Sequence, residues 1–204
     1  MKTKLLLAFI GLFLVLHSVS TAATGLRSDS LSLHIQADIY DAFVSDITKN
    51  TDLLKKLKLQ LADMDTGKEN KVLTYWRSYL QFYRTILYTK IGDKSTAKEE
   101  VNLGIELLEN LSNKTSEDFA LLARLESLAL QFSDMDTMNL YMLMHADIQR
   151  ALQLEKDNLR ANFVYGSIDF YTPPEFGGGK HAEQYLLRAI ALPEDKDRGD
   201  FSPS

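Results

Sequence analysis

Residues 157–193 read DNLRANFVYGSIDFYTPPEFGGGKHAEQYLLRAIALP, and this stretch carries the pattern that decides the expected fold. A first helix is predicted around Gly166, and a second over Ala182 and Ala189, which share one helix face. Pro193 then ends the second helix, because proline cannot continue one. The segment between the helices is rich in proline and glycine, which is typical of a turn. The stretch therefore predicts two helices joined by an enlarged turn.

Upstream of this pair, the chain reads as a series of further helices. All four prolines lie after residue 172, so no proline interrupts residues 24–172. Apolar residues recur there at helical spacing, and no window shows the period of two that strands need. About seven helices are expected, with Thr96 and Glu99 forming a capping box at the start of one. The predicted fold class is all-α, with N-terminal helices in 30–65 and antiparallel helix pairs at about 71–110, 116–156 and 157–193.

The chain begins with a pattern typical of an export signal. Lys2 and Lys4 precede the uncharged apolar run Leu5–Leu16, and small residues follow it. The run is shorter than the roughly 20 residues that a membrane-spanning helix needs. We therefore expect a signal peptide over residues 1–23, with an uncleaved anchor as the alternative. The rest, residues 24–204, is expected to be one exported helical repeat domain without a membrane span.

Composition excludes several classes of function. The 204 residues include no cysteine, which removes disulfide frameworks, cysteine zinc sites and thiol nucleophiles. The net charge of -5 gives no electrostatic reason to expect nucleic acid as a partner. Secreted eukaryotic domains of this size usually carry disulfides, so their absence favours a bacterial periplasm or cell surface. No cofactor is expected from the sequence.

No residue pattern indicates a metal centre. The histidines that follow the signal segment, His34, His145 and His181, lie on different predicted helices, so a metal site would have to assemble across the fold. His145 lies on an apolar face and is expected to be a hydrogen-bonded core residue. An enzyme using Glu175, His181 and Glu183 beside the glycine-rich turn is the minority interpretation, and we expect no catalysis.

Residues 157–193 resemble the tetratricopeptide repeat. In that family a small residue in the first helix, matched here by Gly166, lets the second helix pack closely. Two alanines, matched by Ala182 and Ala189, keep the second helix tight, and a proline such as Pro193 ends the unit. Weaker copies of the pattern are 72–109, with Ala97 and Gly104, and 116–156, with Ala146 and Ala151.

The resemblance implies stacked hairpins in an α-solenoid whose first helices line a concave groove. Counting from Gly166, the residues that would face the groove are Arg160, Phe163, Ser167, Phe170 and Tyr171. The exposed members of an aromatic stripe would join them, with Trp76, Tyr79 and Tyr83 as candidates. The alternative for both sets is ordinary core packing between helices.

The glycine-rich turn is a second candidate site. Backbone N–H groups near Lys180 could bind an anion at the start of the second helix. The alternative is a structural turn that needs the positive φ of glycine. Its residues are Gly177, Gly178, Gly179 and Lys180. The same turn is similar to that of exported bacterial tetratricopeptide-like proteins, some of which accompany periplasmic solute-binding transport systems.

Two functions follow as expectations. The first is a non-catalytic, exported binding or scaffold protein that presents its groove to a protein or peptide partner. The second, implied by the resemblance to transport-associated proteins, is a periplasmic accessory subunit that holds a small solute in a helical cup. A second copy of the chain is left open as a further partner.

Overall fold

The computed structural model describes residues 34–132 and 136–193, and every regular element within them is helical. No strand occurs in these two ranges, so the predicted all-α class is confirmed for them. A 3-10 turn, Pro174–Phe176, lies between the last two helices. The predicted signal segment 1–23 and residues 194–204 lie outside the described residues. The helices are α1 (Ile35–Lys49), α2 (Leu53–Asp63), α3 (Lys71–Ile91), α4 (Lys94–Glu109), α5 (Ser116–Ala129), α6 (Thr137–Leu154), α7 (Leu159–Tyr171) and α8 (Ala182–Ala191).

Consecutive helices pack in pairs, and the pairs contact one another in chain order. The contacts within α3–α4, α5–α6 and α7–α8 are the most extensive in the fold, and α1 packs on α2. The first helices α1, α3, α5 and α7 also contact one another in succession. Each of α2, α4 and α6 contacts the first helix of the next pair. The first helices therefore form one continuous layer.

The caps of two helices show where the sequence pattern misleads. α4 begins earlier than expected, because the carboxylate of Asp93 accepts hydrogen bonds from the Thr96 N–H (3.1 Å) and hydroxyl (2.7 Å). Thr96 is thus bound by the cap and is not itself the cap, so the predicted capping box was wrong. A capping box does occur at α5, where Thr115 and Asp118 exchange hydrogen bonds through their side chains and backbone N–H groups.

The small residues of the last hairpin lie where its two helices approach most closely. A Cβ atom on Gly166 would lie 2.8 Å from Cγ of Leu186 on α8. Ala182 and Ala189 are buried on the facing helix. The corresponding residue of the third hairpin, Ala146, is exposed, so the weaker repeat does not use that position for packing. Close approach of α7 and α8 therefore depends on the absence of a side chain at Gly166.

We expect Gly166→Ala to destabilise the protein by about 1–3 kcal/mol, because the new methyl group overpacks the α7–α8 contact. Chemical denaturation of the wild type and the variant measures the change in the free energy of unfolding. Leu186→Ala removes the two nearest atoms, Cγ and Cδ2, and leaves the backbone nitrogen at 3.1 Å, so the double variant should lose less stability than the sum of the two single variants. Simple additivity of the two losses would contradict the steric explanation.

A buried ion cluster joins the first two hairpins. Glu100 on α4 accepts hydrogen bonds from Arg84 Nη2 on α3 (2.6 Å) and from Lys58 Nζ on α2 (2.8 Å and 2.9 Å). Burial would raise the pKa of Glu100, but its bonds to Arg84 and Lys58 outweigh burial and lower it. The carboxylate therefore remains ionised and holds three helices together.

We expect Glu100→Gln to lower the free energy of unfolding by about 2–4 kcal/mol at neutral pH, since it leaves buried Arg84 without its charged partner. Exposed Glu99→Gln on the same helix is the matched control. Because the pKa of Glu100 is lowered in the folded state, its contribution is present above the ordinary glutamate pKa. The stability gap between wild type and Glu100→Gln should close as the pH falls below that value. A gap that is independent of pH would exclude this charge-based explanation.

Candidate functional site

A narrow cavity lies within the layer of first helices, between α3, α5 and α7. The positions open to the centre of a water molecule fill about 30 Å³, which is room for about two waters. Counted with the space that is open to solvent, the same cavity has an empty volume of about 390 Å³. Its walls are Tyr75, Tyr79, Phe82 and Tyr83 of α3, Ala120, Leu121 and Arg124 of α5, and Arg160, Phe163 and Val164 of α7.

Arg160 is held in the cavity wall by two other helices. Its Nη1 donates to Oε2 of Glu117 on α5 at 3.2 Å, and its Nη2 donates to Oε1 of Gln36 on α1 at 2.8 Å. Burial alone would lower the pKa of Arg160, but the nearby phenol of Tyr75 and the carboxylate of Glu117 raise it. The guanidinium is therefore charged and fixed in orientation.

Arg124 brings a second guanidinium to the same space. Its Cζ lies 4.5 Å from the ring centroid of Phe82 and 5.3 Å from that of Phe163. Both distances allow a cation–π interaction. Burial lowers the pKa of Arg124, but an arginine starts so high that it remains protonated. The cavity therefore has two cationic side chains in its wall.

Tyrosine hydroxyl groups supply the other polar atoms. The hydroxyls of Tyr79 and Tyr83 lie 3.4 Å apart. Burial raises the pKa values of Tyr75, Tyr79 and Tyr83, so all three phenols remain neutral and keep their O–H donors at ordinary pH. No acidic side chain is among the described residues that line the cavity. The lining consequently combines positive charge and hydrogen-bond donors with apolar walls.

The structure brings together only part of the predicted groove. Tyr79, Tyr83, Arg160 and Phe163 all line the cavity. Trp76 does not: its ring is 2% exposed and contacts the rings of Tyr75 and Tyr79 edge-on from the core. Trp76 therefore lies outside the cavity wall, and its place in a groove stays a prediction.

The remaining predicted groove residues lie further along α7. The hydroxyl of buried Ser167 donates to the Phe163 carbonyl at 2.8 Å, so it serves its own helix. Phe170 is 62% exposed and lies edge-on to half-buried Tyr171, with their ring centroids 5.0 Å apart. These two aromatics are outside the cavity wall. Phe170 nevertheless shares a helix face with Phe163, since seven residues make about two turns.

Sequence reasoning missed Arg124, Tyr75 and Phe82 as cavity residues. Arg124 did leave a signal, because it and Glu126 are the two charges within the leucine-rich run from Leu121 to Leu128. A charge on an otherwise apolar helix face implies a buried partner or a site. Its position opposite Arg160 depends on tertiary packing and has no sequence pattern.

A carboxylate of the protein itself binds the N–H groups that follow the glycine-rich turn. Oδ2 of Asp169 accepts hydrogen bonds from the N–H groups of His181 and Ala182, both at 2.8 Å. This carboxylate occupies the position at the start of α8 that a bound anion would take. Lys180 is exposed and Gly178 is buried. The structure thus favours the turn interpretation over the predicted anion site.

Backbone geometry explains the glycines of this turn. Gly177 and Gly179 have φ values of 91° and 77°, which favour glycine. A Cβ atom on Gly178 would lie 1.9 Å from the carbonyl oxygen of Thr172, so no side chain fits there. The three glycines are therefore required by the path of the chain.

The other candidate catalytic and metal-binding residues do not form a site in the described part of the chain. Glu175, His181 and Glu183 are all exposed. Within the described residues, no group of three or more histidine, cysteine, aspartate or glutamate side chains could hold a metal ion. His145 is half-buried beside Tyr141, at 4.4 Å between ring centroids, and burial lowers its pKa. Its Nε2 atom has no hydrogen-bond partner in the described part of the chain, so the expected hydrogen bond is not seen at that nitrogen.

A second buried polar cluster lies between α5 and α6. Glu126 is 1% exposed and lies near Asp147, and its Oε2 has no hydrogen-bond partner in the described part of the chain. Burial, then the nearby charges of Asp147 and Glu109, raise the pKa of Glu126 well above its usual range. Burial likewise raises the pKa of Asp147. A carboxyl group that is buried beside other carboxylates is favoured in its neutral form, so Glu126 keeps its proton in the folded protein at neutral pH.

We expect the stability of the native protein to fall as the pH rises above the ordinary glutamate pKa. The unfolded chain releases the proton of Glu126 there, whereas the folded chain keeps it, at a cost of up to about 1.4 kcal/mol per pH unit. Glu126→Gln keeps the shape without the ionisation, so its free energy of unfolding should decline less between pH 5 and pH 9. Exposed Glu99→Gln should follow the wild type. If the free energies of unfolding of Glu126→Gln and the wild type change in parallel with pH, Glu126 does not keep its proton in the folded protein.

No protein-family model, curated protein or solved structure matches this chain. None of the described helices is both long enough and apolar enough to cross a membrane. The tetratricopeptide resemblance accordingly stays a prediction from residues 157–193.

Proposed function

We propose that this chain is an exported, non-catalytic helical-repeat protein that binds a protein or peptide partner on its layer of first helices. In this proposal the hairpins stack as a tetratricopeptide-like α-solenoid, and α1, α3, α5 and α7 line its inner face. The observation that carries the proposal is the meeting of Arg124, Arg160, Tyr79 and Tyr83 around one cavity in that layer. Side chains from three separate hairpins converge there, as in a binding site.

The order of helix contacts supports the stacking. First helices contact first helices along the chain, and each second helix except the last contacts the next first helix. Repeated hairpins whose helices contact those of the next hairpin in this way build a solenoid. The hydrogen bond from Arg160 to Gln36 links α7 to α1, the two ends of the row. A row whose ends meet must curve, which supports a concave inner face.

A small solute is the second candidate ligand, in an accessory subunit of a transport system. The same Arg160–Gln36 bond favours a small solute, because it joins the first and last of the first helices and so limits the space for an extended peptide. The narrowness of the cavity also favours a small group over a whole side chain. Both candidate ligands use the same cavity. In the first the bound group belongs to a protein or peptide, and in the second it belongs to a small molecule.

We expect a photo-reactive amino acid in place of exposed Phe170 to crosslink a partner in the exported fraction of cells of the source organism. Leu59 on α2 is similarly exposed, at 59% against 62% for Phe170, and is the matched control position. A discrete crosslinked protein at position 170 that is absent at position 59 supports the first candidate. Native mass spectrometry of the purified protein tests the second, since a retained small molecule would add its mass. An empty protein that crosslinks nothing at position 170 contradicts both.

A further inference from the structure

We propose that the outward side of α8 is a self-association surface, on which a second copy of the chain packs its own α8 about a two-fold axis. This surface, the α8 face, consists of the exposed residues Leu187, Ile190 and Ala191. It is separate from the cavity, and its partner does not depend on whether the cavity binds a ligand.

Exposed large apolar side chains are concentrated in the second half of the described chain. Of the eleven among the described residues, Val44, Leu59 and Ile91 precede α5, and the other eight lie on α6, α7, α8 and the turn before α8. Ile190 is the most exposed of them all, at 74%, and Leu187 is 58% exposed. Exposed apolar side chains that lie together on one face mark an interaction surface, whereas single scattered ones do not.

The exposed apolar residues of α8 lie together. Ala182 and Ala189 are buried against α7, the helix that α8 contacts. Residues three or four apart lie on the same side of a helix, so Leu187, Ile190 and Ala191 form one strip. The strip is turned away from the buried alanines. α8 is therefore apolar on both sides, and one of these sides faces solvent.

The place of α8 among the hairpins indicates that a helix fits this face. α2, α4 and α6 each contact the first helix of the next hairpin as well as that of their own. Within residues 34–132 and 136–193, α7 is the one helix that α8 contacts. Residues 194–204 contain six charged residues and one large apolar residue, Phe201, so their sequence carries no apolar helical stripe that could cover the α8 face.

Contacts on the other sides of α8 fix the direction in which its face points. The ring of Tyr185 lies on that of Tyr165 of α7, with 4.2 Å between their centroids. Nε of Arg188 donates to Oδ1 of Asp157, just before α7, at 3.2 Å. A surface that is already in place loses little conformational entropy on association. Leu187 and its neighbours are thus presented before a partner arrives.

The α8 face is complementary to itself, as a two-fold interface requires. Two antiparallel α8 helices whose axis passes midway between Leu187 and Ile190 place Leu187 of one copy against Ile190 of the second. Glu183 is the charged residue on the exposed side of α8, and the two Glu183 residues would be about 16 Å apart along the helices. Exposed Lys180 lies three residues before Glu183, so each end of the interface is close to neutral. Like charges therefore do not oppose the pairing.

Sedimentation of the purified protein over about 1–200 µM tests the association. α8 has ten residues, and an interface centred on so short a helix is small, so we expect a dimer that dissociates at micromolar concentration. A protein that stays monomeric up to about 200 µM would overturn the proposal.

Leu187→Asp tests whether the α8 face forms the interface. An unpaired carboxylate in an apolar interface should weaken dimerisation at least about tenfold, and the monomer should remain folded because position 187 is exposed. Leu59→Asp on α2 is the matched control, since Leu59 is 59% exposed, and it should dimerise like the wild type. Equal dimerisation of Leu187→Asp and the wild type would place the interface elsewhere and overturn the proposal.

A mixture of two variants tests the two-fold pairing. Leu187→Asp and Ile190→Lys should each be monomeric alone, because each puts a charge against an apolar residue of the second copy. Mixed in equal amounts they should form a heterodimer, in which the carboxylate at 187 meets the ammonium at 190. A mixture that stays monomeric would contradict antiparallel pairing of α8 with α8.

A photo-reactive amino acid in place of Leu187 identifies the partner in cells. We expect a crosslinked product of twice the mass of the chain. A product with a different protein, and none with a second copy, would assign the α8 face to that protein and overturn the proposal. Crosslinking of another protein at Phe170 does not depend on this result, so the proposed function is tested separately.

Discussion

The burial of α3 is the constraint on which the rest of the structure depends. Helices α1, α2, α4 and α5 all contact it, and every residue from Ser78 to Ile86 is buried. Burial favours partners inside the protein for the polar side chains in that run, and two of these side chains bind α4. Ser78 donates to the Gly104 carbonyl at 2.8 Å, and Arg84 binds Glu100, so both side chains fix α4 against α3. The same helix turns its tyrosines toward α5 and α7. One buried helix thus sets both the packing of the second hairpin and one wall of the cavity.

Local pattern predicted most of the fold because helical periodicity and proline placement act within a few residues. The packing role of Gly166, Ala182 and Ala189 was also predicted from the sequence. In the structure Gly166 lies at a close helix–helix contact, and both alanines are buried. The predicted start of α4 was wrong because the carboxylate of Asp93, three residues before Thr96, accepts the hydrogen bond of the Thr96 N–H. In the predicted capping box, Glu99 would have accepted that bond. Caps are decided by such local competition, which a spacing rule alone does not weigh.

The cavity could be predicted only in part. Tyr79 and Tyr83 belong to the aromatic stripe of α3, and Arg160 and Phe163 are positions that the tetratricopeptide resemblance implied, so these four cavity residues were anticipated. Gln36 lies far from Arg160 in the chain, and no spacing connects them. Exposure was also hard to judge, because the aromatic stripe of α3 has similar residues on its core side and its cavity side. Trp76 and Tyr79 differ in which neighbours they meet, and this is a property of the assembled helices.

The walls of the cavity belong to three different hairpins, and this has a thermodynamic consequence. A group seated between α3, α5 and α7 touches all three at once, so it binds only when the hairpins are associated. Whatever binds the associated state and not the separated one shifts the equilibrium toward association, in proportion to the logarithm of its free concentration. A ligand bound there would therefore act as an internal crosslink, and the three hairpins would then unfold together. Without a ligand, each hairpin is stabilised by its contacts with its neighbours.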